Sequence, residues 1–232
     1  MIKVCHVTSV HEVEDDRIFL KECISLAKNG YDVCLVERGE TYDKEGVHIK
    51  GIGYVPEGRI KRMIIGGRKA YSKALELDAD IYQIHDPELL PYALKLKKKG
   101  KTVIFDSHED VPAQIIDKTW IPKFFRYMIA KAYKTYEDHV VKKIDAVITA
   151  TPHIADMFAG RAKRVVDINN YPKLDDIQFH EMPFAQREPI VCYAGGIDVI
   201  RGEKVMIEAM KNSEKILVIA GDHVVEEING DK

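Results

Sequence analysis

Short apolar runs alternate along the chain with longer stretches in which apolar residues recur every three or four positions. Ile2 to Val7 reads as a buried strand. Asp15 to Asn29 follows, with Ile18, Phe19, Ile24, Leu26 and Ala27 at helical spacing, and Asn29-Gly30 supplies the residues that end a helix. Tyr31 to Glu37 is a second strand. A strand–helix–strand opening of this kind is a βαβ unit, which is almost always right-handed and parallel.

The alternation continues. Val47 to Ile52 is predicted as a short strand, Ile60 to Leu77 as a helix with Arg and Lys on its outer face, and Asp80 to Ile84 as a strand. Pro87 to Lys98 is a helix with proline in its first turn, followed by a strand from Lys101 to Phe105. A long helix from Ile121 to Val141, a strand from Ala146 to Thr149, a helix from Pro152 to Phe158 and a strand from Arg164 to Ile168 complete the series. The expected fold class is α/β: a Rossmann-like, mostly parallel sheet with helices on both faces.

Asn169 to Pro189 breaks the pattern. It holds Pro172, Pro183 and Pro189 among many charges, with no period, and reads as a linker. Beyond it, Ile190–Ala194 (strand), Gly202–Lys211 (helix) and Lys215–Ala220 (strand) form a fresh βαβ unit. The expected organisation is residues 1–170 as one domain, 171–188 as a linker, and 189–232 as the start of a second Rossmann-like domain. A domain typically needs about 100–150 residues, so the second is expected to be incomplete, with an apolar edge that favours self-association.

Composition narrows the class. The 232 residues are 46% apolar and 31% charged, as in soluble globular proteins, and the net charge of −2 argues against a general nucleic-acid binder. Four cysteines without a CxxC pair read as buried thiols of a reducing compartment. The chain opens on a strand, not a signal peptide, and no apolar run approaches the ~20 residues that span a bilayer. The expected location is cytoplasmic, with any membrane contact peripheral, at the inner face.

In open parallel sheets ligands bind at the carboxyl ends of the strands, near the switch in strand order. Three predicted strand ends carry histidine together with carboxylates: Thr8 to Arg17, with His11, Asp16 and Arg17; His85-Asp86-Pro87-Glu88; and Asp106-Ser107-His108-Glu109. Each has a structural alternative. His85 or Asp86 can cap the helix that starts at Pro87, and Asp106 and Ser107 can shape a turn. A metal site is not expected, because no HExxH or Cys/His cluster is present, although His85 and Glu88 have HxxE spacing with His108 and Glu109 nearby. No dinucleotide fingerprint, P-loop or nucleophile elbow is present either. In the second βαβ unit, Gly195-Gly196 leaves the strand and Arg201 precedes the helix, an arrangement suited to a diphosphate.

These segments resemble the GT-B glycosyltransferases of the large retaining family 4 (group 1) type. The resemblance is carried by Val7-Thr8-Ser9-Val10-His11 with Asp16-Arg17-Ile18-Phe19, Asn29-Gly30-Tyr31-Asp32-Val33, His85-Asp86-Pro87-Glu88-Leu89-Leu90-Pro91, Phe105-Asp106-Ser107-His108-Glu109, and Gly195-Gly196 through Arg201-Gly202. It implies an acceptor-binding first domain and a second domain for a nucleoside-diphosphate sugar. It also implies transfer with retention to a cell-surface polysaccharide or lipid-linked acceptor, without a metal or cofactor. His108 matches the family's cleft histidine. His11, Asp16, Arg17, His85, Asp86, Glu88 and Glu109 are then candidates for acceptor binding, and Gly195, Gly196 and Arg201 for the donor diphosphate. The sequence departs from many relatives: His11 to Asp16 replaces a glycine-rich loop, and Gly196 stands where a phosphate-binding Arg is common. The family's paired-glutamate motif and ribose-binding region fall beyond Lys232, so this chain alone is expected to be inactive or nearly so. Two alternatives stay open: a non-catalytic acceptor- or partner-binding fragment, and a sugar-nucleotide epimerase.

The helix from Ile121 to Val141 places Phe124, Phe125, Met128, Ile129, Ala132, Tyr133 and Tyr136 at helical spacing, with Lys123, Arg126, Lys131 and Lys134 among them. It reads either as a core-packing helix with a solvated basic face or as an amphipathic helix for anionic lipid.

Overall fold

The computed structural model describes residues 1–56, 58, 61–118, 120–174, 182–199, 201–211 and 213–221. These fall into two compact units, Met1–Tyr171 and Pro172–Lys232.

The first unit is built on an eight-stranded sheet. Its strands are β1 (Lys3–Val7), β2 (Asp32–Glu37), β3 (Tyr42–Lys44), β4 (Val47–Gly51), β5 (Ile81–Ile84), β6 (Thr102–Ser107), β7 (Ala146–Thr149) and β8 (Val165–Asp167). The spatial order is β3-β4-β2-β1-β5-β6-β7-β8. Every pair is parallel except β3–β4. The chain winds outward from β1 in one direction through β2 and β4, then returns and winds the other way from β5. The switch in strand order therefore lies between β1 and β5, beyond whose carboxyl ends ligands bind in sheets of this kind.

Burial on both faces explains the near-continuous apolar strands. Along β2, Cys34 and Val36 join a large core with Val7, Tyr82, Ile84, Val103 and Phe105, while Val33 and Leu35 join a smaller one with Ile18, Phe19, Val47 and Ile49. Cys5, Cys23 and Cys34 are buried free thiols, and Cys192 is exposed.

The helices are α1 (Ile24–Lys28), α2 (Gly67–Glu76), α3 (Leu90–Lys98), α4 (Val111–Asp117), α5 (Lys123–Val141) and α6 (Pro152–Phe158). Wider π-helical turns, Asp16–Cys23 and Arg62–Gly66, lead into α1 and α2, and a 3₁₀ turn, Pro87–Leu89, leads into α3. Helical periodicity does not distinguish these turns, so the sequence predicts one continuous helix in each place.

Two elements are absent from the sequence reading. β3 forms a hairpin with β4 through Glu45-Gly46, both at positive φ (52° and 76°), as a tight primed turn demands. α4 begins at Asp110, whose side chain accepts from Ala113 N–H at 3.0 Å. β6 also runs two residues further than predicted, so Asp106 and Ser107 are strand residues and not a turn.

The second unit contains β9 (Ile190–Ala194), α7 (Glu203–Met210) and β10 (Ile216–Ala220), with β9 and β10 paired in parallel, and a 3₁₀ turn at Phe184–Gln186. Residues 175–181 of the expected linker lie outside the described residues, as do Ile60 of the expected second helix and the tail after Gly221.

Candidate active-site cleft

The carboxyl ends of β1, β5 and β6 surround a cavity of about 350 Å³. The loop after β1 contributes Val10 and His11, and the π-helical turn before α2 contributes Arg62 and Met63. The end of β5 contributes His85, Asp86, Pro87 and Glu88; the end of β6 contributes Phe105, Ser107, His108 and Glu109; α4 contributes Val111 and Gln114, and Lys118 follows it. The three strand-end histidines come together: the His11 and His108 rings lie 5.1 Å apart and the His85 and His108 rings 5.6 Å apart.

Asp86 organises the first-strand loop. Its Oδ2 accepts from Thr8 Oγ1 (3.0 Å), Ser9 N–H (2.5 Å), Ser9 Oγ (3.1 Å) and Val10 N–H (3.3 Å), while Oδ1 lies 3.3 Å from His11 Nε2. Neither Asp86 nor His85 caps the following helix, because Asp86 turns back across the sheet toward β1. Glu88 accepts from Ser9 Oγ at 3.0 Å, tying the same loop again. Burial and the Asp86 charge raise the Glu88 carboxyl above its usual range. His11 is held from the other side by Asp15, 3.1 Å from Nδ1. Burial pulls the His11 pKa down, but the Asp15 hydrogen bond and the charges of Asp86, Asp15 and Glu109 outweigh it and leave the ring above the usual histidine value.

Behind the cleft lies a buried polar layer centred on Asp106. Arg17 donates to both of its oxygens, Nε to Oδ2 at 3.1 Å and Nη2 to Oδ1 at 2.9 Å, and Nη1 donates to the Ile168 carbonyl at 2.7 Å. His108 Nε2 and His85 Nδ1 approach Oδ2 at 3.0 and 3.2 Å. Burial opposes charge on Asp106, but hydrogen bonds from His108, His85 and Arg17 hold the carboxylate well below its usual range. An ionised carboxylate only accepts, so both facing ring nitrogens carry hydrogen. His85 Nε2 is then the acceptor for His6 Nδ1–H at 3.0 Å, and His6 Nε2 is left without a partner. Burial keeps both deeper rings neutral: the His85 pKa falls and that of His6 drops to about 3. Glu22, against Arg17 and Gln83, is pushed up by burial and the Asp106 charge.

This network fixes the His108 tautomer. With Nε2–H committed to Asp106, Nδ1 is left to accept from a ligand hydroxyl. Among the described residues, two sets of side chains stand close enough to hold a metal ion: His6, Glu22 and His85, and His85, Asp106 and His108. A dication in the second would share Asp106 with the Arg17 guanidinium, an unfavourable neighbour.

Of the candidates from sequence, His11, His85, Asp86, Glu88, His108 and Glu109 line the cleft, whereas Asp16 and Arg17 do not. Asp16 is exposed and pairs with Lys21, and Arg17 lies beneath the cleft on Asp106. In the second unit, Gly195 (φ 151°) passes close to Gly221, and Gly196 carries its carbonyl on Tyr193 Oη at 2.9 Å. Arg201 is exposed and folds back to Asp198 at 3.4 Å. Sequence reasoning did not single out Arg62, Gln114 or Lys118 for the cleft, nor His6, Glu22 and Gln83 for the layer. The signal for the layer was a polar residue inside each of two apolar strands, His6 in β1 and Gln83 in β5.

The long helix exposes the side chains assigned to its apolar face. Phe124, Phe125, Met128, Ile129 and Tyr136 are exposed, as is Trp120 ahead of it, and Tyr133 alone of the aromatic set is half-buried. The residues that pack inward are Ala130, Glu137, Val140 and Val141. The core-packing reading therefore fails for the first half of the helix within this chain. No helix among the described residues is long and apolar enough to cross a membrane.

The sequence matches no curated protein sequence. Solved structures match along most of its length. A sucrose-phosphate synthase from Thermosynechococcus elongatus aligns at 12% identity and a TM-score of 0.63, over 96% of this chain and 71% of that one. The E. coli structure described as trehalose-6-phosphate bound with UDP-2-fluoro glucose aligns at 13% and 0.65, over 96% and 65%. The glycotransferase of kitacinnamycin aligns at 12% and 0.52, over 99% and 67%. Identities this low speak to the fold, which is that of GT-B glycosyltransferase domains. The family model for Glycosyltransferase Family 4 matches residues 19–170, more than half of the chain. The chain thus belongs to glycosyltransferase family 4.

Proposed function

We propose that the protein transfers a sugar, with retention, from a nucleoside-diphosphate sugar to a saccharide or lipid-linked acceptor of the cell surface, and that the β1–β5–β6 cleft receives the acceptor. The observation that carries this reading is the convergence of His11, His85, Asp86, Glu88, His108 and Glu109 on one cavity at the switch point of the sheet. Hydroxyl-rich ligands need paired donors and acceptors on rigid supports, and these side chains are fixed by one another before any ligand arrives. His108 is assigned to touch the reacting sugar, with Asp106 as its positioning residue. Gly195, Gly196 and Arg201 are assigned to the donor diphosphate, which backbone N–H groups and a guanidinium suit.

Support comes from family membership and from the UDP-2-fluoro glucose complex of the E. coli protein with the same fold. The exposed aromatic residues of α5, flanked by Lys123, Lys131 and Lys134, favour docking on anionic lipid. The assignment is tested by adding nucleoside diphosphates, their sugars and simple saccharides to the protein while following its melting temperature and ring signals. Donor compounds should raise the melting temperature in wild type and not in R201Q. Saccharides should shift His11 and His108. A protein that responds to neither class overturns the reading.

A further inference from the structure

The cleft carries an imbalance that a purely hydroxyl-bearing acceptor does not explain. Its acids are all engaged: Asp86 holds the β1 loop, Glu88 accepts from Ser9, and Glu109 accepts from Gln114 Nε2 at 2.5 Å. Its two permanent cations are not. Among the described residues, neither Arg62 nor Lys118 forms an ion pair or side-chain hydrogen bond, and Arg62 Nε is buried without a partner. Arg62 is near enough to Glu88 for its charge to be felt there, yet the two do not pair. A buried guanidinium nitrogen with no protein acceptor is costly, and in native structures water, an ion or a ligand satisfies such a group.

We propose that Arg62 and Lys118, which both line the cavity, form a subsite for a phosphate group carried by the acceptor. The inference rests on the reading of this cavity as the acceptor site and gives it a substrate class, a phosphorylated or pyrophosphate-linked saccharide. The planar guanidinium takes two phosphate oxygens while the Lys118 ammonium neutralises the remaining charge. Lys118 follows α4 and stands two residues before the exposed Trp120. The subsite thus borders the aromatic surface that precedes α5, and the phosphate can come from a soluble sugar phosphate or from a lipid-linked one.

Calorimetric titration with inorganic pyrophosphate is the primary test, on wild type, R62Q, K118Q and R201Q, each checked for an unchanged melting temperature. Pyrophosphate should bind wild type, and R62Q should weaken it about tenfold or more, the worth of one charge-assisted hydrogen bond. K118Q should weaken it several-fold, and R201Q should leave this site unchanged. Two further arms identify the source. A hexose 6-phosphate that outcompetes its parent hexose in wild type but not in R62Q marks a soluble phosphate. Binding to phosphatidylcholine vesicles that rises with added phosphatidic acid, in wild type but not R62Q, marks a lipid phosphate. No binding of pyrophosphate to wild type, or binding undiminished in both R62Q and K118Q, overturns the subsite. The transferase reading fails separately: nucleoside diphosphate affinity untouched by R201Q counts against the donor site and leaves the cleft phosphate intact.

Discussion

The two units each turn a strand into a loop and then a helix, and they secure the turn by opposite means. After β1 the loop is held by charged and hydroxyl side chains, with Asp86 accepting four hydrogen bonds and Asp15 and Glu88 adding others. After β9 fewer side chains hold the loop, Tyr193 Oη donating to the Gly196 carbonyl and Asp198 accepting from Arg201 N–H, and the backbone passes close to the end of β10: a Cβ on Gly221 would stand 1.8 Å from the Gly195 carbonyl oxygen. A loop pinned by ionisable groups responds to pH and to a single lost carboxylate. One that depends on close backbone approach at glycine responds chiefly to added volume. The first kind presents many oriented polar groups, as a saccharide requires; the second bares backbone, as a diphosphate requires.

The largest expected effect falls on the buried layer that supports the first loop. D106A strands Arg17 without its partner, and breaking a buried pair of this sort costs about 3–5 kcal/mol. Denaturant unfolding should show it, and loss of less than about 1 kcal/mol would mean that the layer does not support the fold. D86A comes next: freeing the β1 loop should cost about 2 kcal/mol, with faster amide exchange at Ser9 and Val10. G221A should destabilise the second unit by about 1–3 kcal/mol through overpacking, and leave amide protection in the first unit unchanged. Protection lost equally in both would erase the contrast between the two loops.

The smallest effect is the pH dependence of the first loop. A histidine whose folded pKa is raised adds stability that is complete below the ordinary histidine value and disappears as pH rises through the raised one. D15N should lower the His11 pKa and flatten this loss, while an Asn at 15 can still accept from the Arg17 and Ile18 N–H groups that Asp15 caps. NMR titration of His11 reads the shift directly; an unchanged pKa would remove Asp15 from the account.

Most of the fold was legible because parallel strands buried on both faces are runs of apolar residues, and their helices carry a clear period. The mostly parallel character of the sheet followed from the alternation. β3 escaped because Tyr42–Lys44 is short and polar, and its pairing rests on the Glu45-Gly46 turn. α4 escaped because its first turn contains Val111-Pro112 and its cap is a single aspartate. The cleft residues on strand ends were legible because their chemistry is local: histidine beside a carboxylate after an apolar run. Arg17 was expected among the acceptor-binding residues, and its placement beneath the cleft was not legible. Its partners, Asp106 and the Ile168 carbonyl, lie 89 and 151 residues away in sequence, and no local pattern encodes such a pairing. Arg62 and Lys118 were hidden for a similar reason, since a lone cation on a helix reads as a solvated surface until the cavity beside it is seen.

The most direct test of the central claim, that three strand ends form one ligand-binding cleft, is the behaviour of the nine histidines under ligand titration. Ring signals should be followed as simple saccharides and their phosphates are added. The account predicts that His11 and His108 shift together with a single dissociation constant, while the exposed His48 and His153 stay fixed. Ligands that move His11 and His108 with different midpoints, or that move neither, would contradict it.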